Sequence, residues 1–162
     1  MGVEYKIEEE LSLLLLNEPS VVRYGISVPK QFSFKEFLAD KMMLIATIRA
    51  GIPWSLFELI QKITPFSEQE WAEFLNISTK SLQRYKQDAR SFKSIHSEKI
   101  IEMAEVTEVG KDVFGGLEKF NLWLNTPNFA LGKLKPKELL RDSYGKELIM
   151  IELHNINHGI LA

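Results

Sequence analysis

Few residues in this chain have the types and spacing that reaction chemistry needs. His154 and His158 stand four apart, the spacing at which two imidazoles on one helix face can share a metal ion. Spacing supplies no matching third ligand, with only Glu147 and Glu152 nearby, and the His-Glu-x-x-His order of a zinc protease is absent. Both are therefore expected to be polar-face histidines at a partner surface. The chain contains no cysteine, which excludes a disulfide framework, thiolate zinc sites and a Cys nucleophile. Gly115-Gly116 lacks the preceding strand and the spacing of a phosphate loop. The carboxylates are scattered as on ordinary helix surfaces. No active site, metal or cofactor is expected.

The remaining candidate chemistry is charge. Five positive residues (Lys80, Arg84, Lys86, Arg90 and Lys93) and one negative (Asp88) fall within 78–93. The next stretch reverses the sign with Glu98, Glu102, Glu105 and Glu108. A charge run is usually a solvated face. Here it coincides with a segment whose pattern is that of a helix-turn-helix. Ala72 is small where two short helices must approach closely, and Asn76, four residues later, suits a left-handed turn. Trp71, Leu75, Ile77, Leu82 and Tyr85 fall on core-facing positions, and Ser78 or Thr79 can cap the second helix. If that helix reads DNA, Thr79, Lys80, Ser81, Gln83, Arg84 and Gln87 face the duplex. Lys and Arg then suit guanine edges, Gln suits adenine, and Ser and Thr suit phosphates.

The elements that hold these residues read as all-α. The 162 residues carry 20 Lys+Arg against 22 Asp+Glu and are 45% hydrophobic, enough for a core in one or two small domains. That balance excludes a protein that coats nucleic acid by charge alone. Helices are expected at 4–16, from the Ser33-x-x-Glu36 capping box to Ala50, and from Pro53 through Ile63. Others follow at 67–75, 79–89, 98–114, 117–125, 136–142 and 145–158, punctuated by Pro65, Gly115-Gly116, Pro127 and Gly132. Val21-Val22-Arg23-Tyr24 reads as a brief strand. Leu11–Leu16 is too short for a secretory or membrane segment and follows three glutamates, so a cytoplasmic protein with no membrane contact is expected.

The last fifty residues carry a second set of motifs. Val113-Phe114-Gly115 precedes Phe120 and Trp123-Leu124. Then come Thr126-Pro127-Asn128-Phe129-Ala130-Leu131-Gly132, Lys135-Pro136, Leu139-Leu140, Tyr144-Gly145 and a final amphipathic helix reaching Gly159. In order and spacing these resemble the toxin-binding domain of the Xre/MbcA/ParS antitoxin family, partners of RES-domain toxins. Gly51-Ile52-Pro53 and Ser78-Thr79-Lys80-Ser81-Leu82-Gln83-Arg84 fit the same family upstream. The resemblance covers about 46–162. Lys80 replaces a common Arg, and Asn155 stands where relatives often carry Arg.

What the resemblance implies is an all-α chain in three parts. Residues 1–45 form a variable extension, 46–110 a helix-turn-helix domain for DNA binding and dimerisation, and 111–162 a small helical toxin-binding domain. The implied function is a non-catalytic antitoxin whose extreme C-terminus enters the active site of a toxin that degrades NAD. The implied partners are that toxin, operator DNA and a second copy in a homodimer. Trp123, Asn128, His154, His158, Gly159, Ile160, Leu161 and Ala162 are the expected toxin-binding residues. Trp123, Leu124, Leu139 and Leu140 suit a local core better than a contact surface. The Ala162 carboxylate, a free anion on an apolar stub, is expected to pair with a toxin Arg in place of a substrate phosphate. The competing reading is a plain helix-turn-helix repressor whose C-terminal domain only oligomerises or senses a ligand.

Overall fold

A computed structural model describes residues 2–159. Among these the chain forms ten α-helices and two 3-10 segments, and its extended pairings are isolated bridges. By contact the described residues divide into two compact units that do not follow sequence order: 2–63 with 77–101, and 64–76 with 102–159.

The first unit is built on α1 (Val3–Leu16), whose Ile7, Leu11 and Leu15 recur every four residues and are fully buried. They form one apolar stripe that packs against α4 (Lys41–Ala50) and α5 (Trp54–Ile63). The stretch expected as a strand is instead α2 (Pro19–Arg23). Pro19 at its first turn needs no N–H partner, and the Glu18 carboxylate accepts from the Ser20 N–H; local capping prevails over β-branched propensity. The Ser33–Glu36 capping box is present and opens α3 (Phe34–Ala39). The single helix expected to run on to Ala50 is broken at Asp40, which leaves the helical region (φ −99°, ψ 99°). Its Oδ1 accepts from the Met42 and Met43 N–H groups, so it starts α4 as a new helix.

An aromatic cluster joins α5 to the segment after α7 (Thr79–Gln87). The Phe92 ring lies 4.9 Å from Phe57, 6.2 Å from Trp54 and 4.5 Å from Tyr85. The backbone closes the same joint, with Phe92 N–H donating to the Ile52 carbonyl (2.8 Å) and Trp54 N–H to that of Arg90 (3.2 Å). Ser97, buried on α8 (Ser94–Phe114), accepts from the Ile52 N–H at 2.9 Å and donates to the Phe92 carbonyl at 3.3 Å. Gly51 enters this joint at φ +83°, and a side chain there would press on the Phe92 carbonyl oxygen. Helix α8 begins four residues earlier than expected, and residues 94–101 belong to this unit.

The second unit contains α6 (Glu68–Phe74), residues 102–114 of α8, α9 (Leu117–Leu124) and α10 (Ser143–Asn157). Residues 136–141 are a 3-10 helix rather than the expected α-helix, and they pack against α6, α9 and α10. Close approach is fixed at two glycines. A Cβ on Gly110 would overlap the Phe120 ring, and one on Gly145 would overlap the Leu139 backbone. Phe66, Trp71 and Phe74 form an edge-to-face trio with centroids 5.0–6.1 Å apart, the geometry the ring quadrupoles favour.

Candidate nucleic-acid and partner surfaces

The helix-turn-helix segment follows its local rules closely. Ser67 and Glu70 close a capping box on α6. Asn76 takes the left-handed conformation at φ +54°, reversing the chain as expected of that residue type. Ser78, not Thr79, is the N-cap of α7, accepting from the Ser81 N–H at 3.0 Å. Trp71, Ala72, Leu75 and Leu82 are buried, while Ile77 and Tyr85 are half-buried. Phe74 is also buried, a core position the motif did not predict.

On α7, Thr79, Lys80, Arg84 and Gln87 are exposed, and Ser81 and Gln83 are half-buried. Lys80 with Arg84, and Gln83 with Gln87, are each one helical turn apart, so each pair stacks along the helix, and the six residues run its whole length from Thr79 to Gln87. The helix N-terminus adds its own positive potential to Lys80 there. Beyond α7, Ala89 turns left-handed at φ +48°. The Arg90 guanidinium then lies 4.5 Å over the Tyr85 ring, whose other neighbour is Phe92. This anchors the basic segment to the aromatic joint. His96 stands edge-on to Phe92, and burial, followed by the charge of Lys93, holds its pKa below the ordinary histidine value.

The expected toxin-binding residues are distributed over several elements. Trp123 is half-buried against Phe114 (5.5 Å) and Phe120 (6.2 Å), so its ring is part of a packed cluster. Asn128 organises the Pro127 turn. Its Oδ1 accepts from the Ala130 N–H, its own N–H donates to Leu134, and its carbonyl accepts from Lys133. His154 and His158 are exposed with ring centroids 4.3 Å apart, and among the described residues they join no cluster of three metal-binding groups. Gly159 is exposed at φ +67°. Ile160, Leu161 and Ala162 lie outside the described residues.

Two features of this unit were not legible from motif spacing. Lys137 and Arg141 reach Glu70 and Glu73 of α6, each at 2.7 Å; partners so distant along the chain leave no local sequence signal. Tyr144, Leu148 and Ile151 form an exposed apolar row along α10. Their helical spacing was visible, but only burial shows that Ile149 and Leu153 face inward and this row outward.

The fold and these surfaces define a helix-turn-helix protein joined to a helical partner-binding module. The comparisons say which kind. Residues 43–105 match the antitoxin Xre-like helix-turn-helix domain. Residues 110–159 match the antitoxin Xre/MbcA/ParS C-terminal toxin-binding domain. The antitoxin Xre of Yersinia enterocolitica is 25% identical over 121 residues, spanning 74% of this chain and 82% of that protein. A chain in the crystal structure of the Mycobacterium tuberculosis MbcT-MbcA toxin-antitoxin complex shares the fold. Its TM-score is 0.52 at 19% identity, over 65% of this chain and 94% of that one. The chain belongs to the Xre/MbcA/ParS antitoxins, the antitoxin component of a toxin–antitoxin system. No described helix is long and apolar enough to cross a membrane.

Proposed function

We propose that the chain neutralises a RES-domain, NAD-degrading toxin by gripping it with residues 111–162 and seating residues 159–162 in the toxin's active site. It acts by occupying surfaces and carries out no reaction of its own. The observation that carries this reading is the exposed row Tyr144, Leu148 and Ile151 on the last helix of a matched toxin-binding domain. An apolar helix face of this kind suits a partner's groove, and the same helix leads directly to the His154–His158 pair and Gly159. Residues 46–110 bind operator DNA as a homodimer through Thr79, Lys80, Ser81, Gln83, Arg84 and Gln87, and repress the protein's own operon. The exposed Lys80–Arg84 pair at a capped helix N-terminus supports that part. Cytoplasmic action follows from both roles.

The deciding experiment deletes residues 159–162 and measures NAD hydrolysis by the co-expressed toxin. Restored hydrolysis with unchanged helical content is the expected result. Unchanged inhibition overturns the plug.

A further inference from the structure

The turn that follows α9 is a closed loop with a strained backbone. Asn128 N–H donates to the Leu134 carbonyl at 2.9 Å, and the Asn128 carbonyl accepts from the Lys133 N–H at 2.8 Å. Inside that closure the Asn128 carboxamide accepts from the Ala130 N–H at 2.8 Å and starts the 3-10 turn Phe129–Leu131. Gly132 and Lys133 are both left-handed, at φ +70° and +65°. A lysine holds that conformation only where its surroundings impose it.

What this scaffold presents is Phe129, 84% exposed. A phenyl ring left so bare adds almost no buried apolar area to the fold. Lys133 Nζ lies 5.9 Å from the ring centroid. Leu122 on α9 and Leu134 at the loop's closing bridge are exposed as well. From residue 119 to residue 137 the cations are Lys119, Lys133, Lys135 and Lys137, and the segment has no carboxylate. Lys137 is held by Glu70, while the other three are exposed. A ring fixed before binding gives up little freedom on docking, and aromatic anchors seated in pockets dominate interface energetics.

Resting on the reading that residues 111–162 grip the toxin, we propose that Phe129 anchors a second contact, its ring entering an apolar pocket of the toxin whose carboxylate rim pairs with Lys133. The match of residues 110–159 to a toxin-binding domain names the occupant. The lysines with no carboxylate among them set the sign of the rim. Asn128 is then a positioning residue that builds the turn. This contact selects which toxin is held, whereas residues 159–162 decide whether the held toxin is inhibited.

The test measures binding of the purified full-length chain to its purified toxin by surface plasmon resonance. Phe129→Ala should weaken binding at least about tenfold, and Phe129→Tyr, which keeps the ring, less than about threefold. Both variants should melt with the wild type, because the ring is exposed. Lys133→Gly keeps the left-handed turn and removes the cation, so its loss of affinity should fade as salt rises. A chain lacking residues 159–162 should still hold the toxin and release it once Phe129→Ala is added. A wild-type chain that does not bind the toxin overturns the reading above and this proposal with it. Firm wild-type binding that Phe129→Ala leaves unchanged overturns this proposal alone, as does a lowered melting temperature, which would assign the ring to the fold. Loss of operator binding or of self-association in Phe129→Ala with toxin binding intact would make DNA or a second copy the occupant and overturn it equally.

Discussion

Lys137 Nζ lies 2.7 Å from Glu70 Oε1, so a lysine of the toxin-binding domain is paired with a glutamate of the first helix of the helix-turn-helix. Glu70 does two jobs, because its other oxygen accepts from the Ser67 N–H to cap α6. One turn further along, Arg141 and Glu73 repeat the link. The element that opens the helix-turn-helix is thus held by the C-terminal part of the chain.

The two links should differ in worth. Lys137 and Glu70 are 17% and 26% exposed, whereas Arg141 and Glu73 are 64% and 42% exposed. Lys137→Met is expected to cost about 1 kcal/mol in urea unfolding, and Arg141→Met less than about 0.5 kcal/mol, because solvent screens the exposed pair. Equal costs would mean that burial does not set the difference.

Gly145→Ala should be severe. The added Cβ meets the Leu139 carbonyl, a backbone atom that cannot rotate away. A loss of about 2 kcal/mol or more is expected, with toxin binding reduced in parallel. A variant with wild-type stability would show that α10 and the 136–141 segment can separate freely.

Ser97→Ala removes the acceptor of the buried Ile52 N–H. The expected cost is about 1–3 kcal/mol, the range for leaving such a group unsatisfied. Ser97→Thr, which keeps a hydroxyl, should recover part of it. Thermal melts of the two variants decide the matter; indistinguishable melts would remove Ser97 from the joint.

Acid should loosen the first unit through His96. Its folded pKa lies below that of the unfolded chain because burial, then Lys93, disfavours the cation. The unfolded state therefore binds more protons, so stability is fully present above the ordinary histidine pKa and declines as pH falls below it. His96→Gln should flatten that part of the pH profile. NMR titration of His96 to a value at or above the ordinary one would contradict this.

Lys80→Ala and Arg84→Ala are each expected to weaken binding to the upstream region of the operon. Each should also lower the salt slope by about 1, since a phosphate that no side chain neutralises keeps its condensed counterions. Fluorescence anisotropy across a salt series measures both quantities. Unchanged affinity and slope would separate α7 from DNA.

The helix-turn-helix was legible because its constraints are local. Asn76 must turn left-handed, Ser78 must cap, and Trp71 and Leu82 must be apolar, all within a short stretch of chain. The glycine and proline punctuation of the last fifty residues was legible for the same reason. Val21–Tyr24 and the break at Asp40 were misread because single carboxylates, Glu18 and Asp40, start helices there against the broader pattern. No alternation or periodicity reports a one-residue cap of that kind.

By itself the sequence determined the helical class, the capped turns, the buried stripes and the family, since all of these rest on spacing along the chain. Only the tertiary structure decided that α6 packs with the C-terminal part, that Tyr144, Leu148 and Ile151 are left uncovered, and that scattered glutamates of α1, α3 and α5 border one cleft. Those facts depend on which distant surfaces exclude water from each other, and packing settles that between residues too far apart to share a pattern.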